Sequence, residues 1–177
     1  MKKRPTYQRA FQLTEGRIKR NDLPKLIERI GNEYLRRKTA KVSFEDGTDT
    51  KNETAKNFLR REVYALGLAL LHHGPKNWSP RTLVNSIRKA QTTRPETLSN
   101  VFHALLMSIF ETDESINRNE RSLIAKELEY AHRHAVPPEL LCGFLYQSTD
   151  RKKIGERLHT DFTEPAFRYL TNQTSVG

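Results

Sequence analysis

The chain has 177 residues, with 31 Lys and Arg against 21 Asp and Glu, a net charge of +10. Only 36% of residues are hydrophobic and the mean hydropathy is −0.76, which predicts one modest core under long charged faces, in one domain or one domain with an arm. The single cysteine, Cys142, excludes an internal disulfide framework and a cysteine-based metal cluster.

The charge is unevenly placed. Residues 1–41 hold thirteen basic residues and four acidic ones, a net +9. The other 136 residues hold 18 basic and 17 acidic groups, a net +1. This asymmetry points to a polyanionic partner for a basic N-terminal helical arm. The N-terminal Met1-Lys2-Lys3-Arg4-Pro5 has no apolar segment behind its charges, so a cytoplasmic protein without a secretory signal is expected.

Within the arm, Tyr7, Phe11 and Leu13 are the apolar positions of a short helix over 6–19, weakened by Gly16. Asn21-Asp22 then caps a stronger helix with Pro24 in its first turn. Leu23, Leu26, Ile27, Ile30 and Tyr34 form its apolar stripe. It ends on Arg36-Arg37-Lys38. These three cations either complement the helix dipole or contact phosphate; their placement fits both. Residues 42–50, with Asp46-Gly47, read as a loop or hinge.

The body is expected to span 51–171, with a frayed tail over 172–177. Its centre is a helix over about 51–73, built on the apolar run Val63–Leu71. A helix apolar on all sides must be surrounded by protein. Thr50-x-x-Glu53 has the form of a capping box. Gly74 suits a left-handed stop and Pro75 prevents continuation. The run is nine residues long, far short of the roughly 20 that a membrane span needs, so no membrane partner is expected.

Ser79-Pro80 predicts a helix to about Gln91, and Thr93-x-x-Glu96 the cap of the next, which carries Val101, Phe102, Leu105, Leu106, Ile109 and Phe110. Residues 118–135 follow, with Leu123, Ile124, Leu128 and Ala131 inward. Glu139–Gln147 comes next, with Leu140, Leu141, Phe144 and Leu145 inward. Asp150 is placed to cap a helix holding Ile154 and Leu158, and Thr163 a last one holding Phe167 and Leu170. The fold class is therefore all-α, a compact array of seven or eight mostly short helices around the buried central one.

Basic side chains neutralise phosphates and release counterions, without choosing sequence. The candidate contacts are Lys2, Lys3, Arg4, Arg9, Arg17, Lys19, Arg20, Arg36, Arg37, Lys38 and Lys41 in the arm, and Arg151, Lys152, Lys153, Arg157 and Arg168 near the C-terminus. Tyr7, Phe11 and Tyr34 interleave with the first set and are placed to stack on unpaired bases. The alternative is a solvated basic surface whose aromatics belong to the core. The stretch 151–170 has a helix–turn–helix rhythm, which two ordinary packed helices fit equally. Its turn lacks a glycine, and Glu164 would face phosphate.

His72-His73 and His132-x-His134 lack the i, i+4 spacing and acidic partner of a zinc site, so no metal or cofactor is expected. Cys142 lies in an apolar stretch and reads as an inert buried thiol. Trp78 plugs the core end or anchors a partner. There is no Gly-rich phosphate loop and no nucleophile elbow, and a non-enzymatic role is expected. Val136-Pro137, the apolar helix after it and Arg151–Phe162 faintly resemble the C-terminal half of the small helical subunit of RNA-guided CRISPR effector complexes. The spacing does not hold across the chain, and no family is assigned on it. Three functions stay open: an accessory or regulatory nucleic-acid-binding protein of bacterial or mobile-element type, a subunit of a larger ribonucleoprotein complex, and a protein–protein adaptor.

Overall fold

The computed structural model describes residues 18–19, 21–40, 53–74, 79–80, 82, 100–110, 115–148 and 151–164. Among them are six α-helices and one 3-10 turn, and no strand. The expected helices over 6–19 and after Thr163, and most of the one after Pro80, lie outside the described residues. So do the 42–50 loop, the 172–177 tail and Trp78.

Helix α1 spans Leu23–Thr39. Asp22 takes the N-cap position without a side-chain cap bond, and Pro24 stands in the first turn. Leu23, Ile27, Ile30, Gly31 and Tyr34 are buried. Tyr34 meets Phe110 edge-on, with ring centroids 5.1 Å apart. This helix is therefore part of the core and not an arm attached to it. Its apolar stripe needs a partner, and the central helix supplies one.

Helix α2, Ala55–His73, is that central helix, and burial runs around its whole circumference from Phe58 to Leu70. Its cap is Thr54, whose hydroxyl accepts from the Asn57 amide at 3.3 Å; the expected Thr50-x-x-Glu53 box is thus corrected. Glu53 points inward instead and serves an ion pair described below. The helix ends at Gly74 in an extended conformation, φ −62°, not in the left-handed one. Glycine is still required there, because a Cβ would lie 2.4 Å from the Leu70 carbonyl oxygen. Leu71, counted in the buried run, is 46% exposed because it lies past the last packed turn.

Helix α3, Val101–Ile109, starts at Asn100, whose side-chain oxygen accepts from Phe102 and His103 amides at 2.9 and 3.0 Å. Asn100 replaces the expected cap at Thr93. Its amide nitrogen also donates to Glu129 at 2.7 Å and ties the start of α3 to the helix over 118–133. Phe102 stacks on Tyr64 where Gly67 has no side chain; a Cβ there would sit 2.4 Å from the Phe102 ring.

Helix α4, Arg118–Arg133, is capped by Asn117. It closes on Ala135, which takes a left-handed φ of 51°. The Tyr64 hydroxyl donates to the next carbonyl, Val136, at 2.8 Å. Residues 139–147 divide into a 3-10 turn, Pro138–Leu140, and helix α5, Leu141–Gln147. That break turns Leu140 outward, 50% exposed, against the expectation that it faces the core. Helix α6, Arg151–Leu158, packs on α4 through Ile154. Helix α2 touches α1, α3, α4, α5 and the 3-10 turn. Among the described residues, no helix is long and apolar enough to cross a membrane.

Candidate nucleic-acid interface

With its apolar stripe fixed in the core, α1 has one orientation. Lys25, Arg29, Asn32 and Arg36 recur at helical spacing on the opposite side, and all four are exposed. The stripe runs about 16 Å at 1.5 Å per residue. Arg36 is held by Glu33 through two bonds of 2.6 and 2.7 Å. The Arg36 hydrogen bond also holds the Glu33 carboxyl below its ordinary range, and Arg37 adds to this. Glu28 is the exposed acid beside the stripe.

The other candidate cations have different fates. Lys19 is exposed. Lys38 is exposed and donates to the Ser115 carbonyl at 2.9 Å, across to the start of α4. Arg37 is 3% exposed. It bonds Glu33 at 2.8 Å and the Glu53 carbonyl at 3.0 Å, and its guanidinium lies 4.5 Å from the Phe58 ring centroid. Such a group holds the fold together and is not open to phosphate. Tyr34 is buried at 2% and does not present its ring to a base.

On α6, Lys153 is exposed. Arg157 donates to the Ser148 carbonyl at 3.1 Å, pairs with Glu164 and lies over Phe162 at 4.1 Å. Glu164 therefore faces arginine and not a phosphate. The side chains of Arg151 and Lys152, and all of Lys2, Lys3, Arg4, Arg9, Arg17, Arg20, Lys41 and Arg168, lie outside the described residues.

Two residues of the stripe, Lys25 and Arg29, were not singled out by the sequence reading. Their signal is present: they stand four residues apart, with Arg29 seven before Arg36, opposite Ile27, Ile30 and Tyr34. Net charge alone does not carry that register.

A buried ionic layer has no counterpart among the features expected from the sequence. Arg60 forks onto Glu127 at 2.7 and 3.3 Å. Arg61 forks onto Glu53 at 3.0 and 2.7 Å and pairs with Glu62 at 2.9 Å. All five residues are under 10% exposed. Cys142 lies beside this layer, and burial pushes its thiol up to about 11, which keeps it protonated and unreactive at neutral pH. No group of three or more His, Cys, Asp or Glu suited to a metal occurs among the described residues.

The fold and the surface together define an all-α protein with a basic ridge on its first described helix. No protein-family model, curated protein or solved structure matches the chain.

Proposed function

We propose that this is a non-catalytic helical protein that binds nucleic acid through phosphate contacts from its basic N-terminal quarter, in an accessory or regulatory role. The observation that supports the reading is the α1 stripe: three cations on the solvent face of a helix whose other face is locked into the core. A helix locked into the core loses little backbone freedom when its cations meet a polyanion. Counterion release then supplies affinity without sequence choice.

The test is fluorescence anisotropy of the full chain with labelled duplex DNA, single-stranded DNA and single-stranded RNA across a salt series. Deleting the N-terminal quarter would remove Ile27, Ile30 and Tyr34 from the core, so surface substitutions are the right perturbation. The triple variant Lys25→Gln, Arg29→Gln, Arg36→Gln should keep its thermal unfolding and bind all probes more weakly. Its log–log salt slope should fall by about two to three, at about 0.7 to 0.9 per lost contact. Wild-type binding absent on all three probes would sink the reading.

A second reading is a helical subunit of a larger ribonucleoprotein complex. It is favoured by Leu140 and Tyr146, which stand 50% and 92% exposed around α5. On that reading the isolated chain binds nucleic acid feebly, and Tyr146→Ala weakens co-purification with partner subunits without touching the salt slope.

A further inference from the structure

His134 is 5% exposed, and both of its ring nitrogens are engaged. Nδ1 lies 2.8 Å from the Tyr130 carbonyl oxygen. A carbonyl only accepts, so Nδ1 carries the hydrogen. Nε2 lies 3.0 Å from the Glu164 backbone nitrogen, which donates to it. Nε2 must therefore be bare, and only the neutral Nδ1–H tautomer satisfies both partners.

The groups around the ring come from four elements. Tyr130, one turn earlier, lies tilted against it at 4.5 Å, and its hydroxyl bonds the Glu164 carboxylate at 2.7 Å. Burial and that carboxylate push the Tyr130 hydroxyl up to about 12, so it stays a donor. Helix α5 presents the uncharged ring of Phe144 at 5.3 Å. Helix α6 presents Arg157, paired with Glu164. The 160–164 segment presents Glu164 itself.

The two sides of the Nε2 bond differ in firmness. The ring side is anchored: His134 precedes the left-handed Ala135, and Val136 is tied by its amide to Ala131 at 3.1 Å and by its carbonyl to Tyr64. On the other side, Thr160, Asp161 and Phe162 are exposed.

We propose that His134 and Glu164 form a pH-released clasp that holds residues 160–164 against α4. A proton added to Nε2 turns the acceptor into a donor facing another donor. The anchored ring keeps its place and the segment moves away, taking Glu164 from Arg157. The closed clasp excludes the proton, so closure belongs to the higher pH and is lost as the pH falls. The clasp rests on hydrogen-bond geometry alone and is independent of the nucleic-acid reading.

Amide hydrogen exchange of the full chain tests it, read at Glu164 between about pH 8 and about pH 5, the range over which imidazoles exchange a proton. With intrinsic rates divided out, protection at Glu164 should fall across that range by about tenfold or more beyond any fall at Leu66, whose exchange reports global opening. His134→Gln supplies a donor and an acceptor that do not titrate, and its Glu164 protection should fall no more than that of Leu66. If the glutamine variant fails to fold, the imidazole 15N shifts of the wild type decide: they should show the Nδ1–H tautomer at the upper pH and imidazolium where protection is lost. Protection that is flat in the wild type, or that falls equally in His134→Gln, overturns the proposal.

Discussion

The two halves of α2 are buried alike and held by different physics. From Phe58 to Glu62 the helix carries Arg60, Arg61 and Glu62 into the interior. Each charge is answered there by a carboxylate or guanidinium of opposite sign. From Val63 to Leu70 the burial is apolar, closed by Phe102 against Gly67 and by the single hydroxyl bond from Tyr64 to Val136. The difference teaches that an arginine in this chain is not by default a surface cation. Arg37, Arg60 and Arg61 are structural, whereas Lys25, Arg29 and Arg36 face solvent. Removing one ion desolvates its partner without compensation; removing one methylene group leaves only a small void.

The comparison breaks most visibly at Glu127. Glu127→Ala leaves Arg60 buried and unanswered and should cost about 3–5 kcal/mol, read from the denaturant midpoint. The double variant Arg60→Met, Glu127→Leu should recover most of that loss, since a matched apolar pair avoids the desolvation of both ions. If the double is as unstable as the single, the ionic layer contributes through geometry that no apolar pair reproduces. In the apolar half, Gly67→Ala forces a methyl into the Phe102 ring and should cost about 1–3 kcal/mol. Tyr64→Phe strands the Val136 carbonyl and should cost about 1–2 kcal/mol, with no change in denaturant slope.

Acid should weaken the fold through two partly buried histidines. Burial holds His103 below the usual imidazole range, and Arg121 and Arg118 add to this. Burial does the same for His132, with His72 adding to it. The unfolded chain therefore takes up these protons first. The stability they confer is complete above the unfolded imidazole range and is lost as the pH falls through about 6.5 toward the folded values. Denaturation midpoints taken down that range should decline, less steeply in His103→Gln. The smallest effect expected is a gain. Ala135→Gly relieves a left-handed alanine and loosens the unfolded chain, for a net stabilisation of about 0.5 kcal/mol.

Much of the architecture was legible from periodicity. The stripe of α1, the buried run of α2 and the inward positions of α3 and α4 all follow from apolar spacing, which fixes the face a helix must bury. Helix starts were less legible. Thr54 and Asn100 took the roles assigned to Thr50 and Thr93, because a capping pattern is short and several polar residues near a helix start can satisfy it. Ser79 is the counterexample: its hydroxyl accepts from the Thr82 amide at 3.2 Å, as its sequence position led one to expect.

The candidate surface was legible only as a sum. The sequence by itself determined that the chain is helical, that residues 63–70 lie inside, and that the excess charge sits in the first quarter, since each of these depends on composition or local spacing. Which cations remain at the surface was decided by the tertiary structure. Arg37 and Arg36 are neighbours in sequence, yet one is sealed against Phe58 and Glu53 and the other faces solvent. The partners that separate them, like Glu127 for Arg60 and Glu164 for His134, lie 16 to 67 residues away along the chain, and only the packed fold brings such groups within reach.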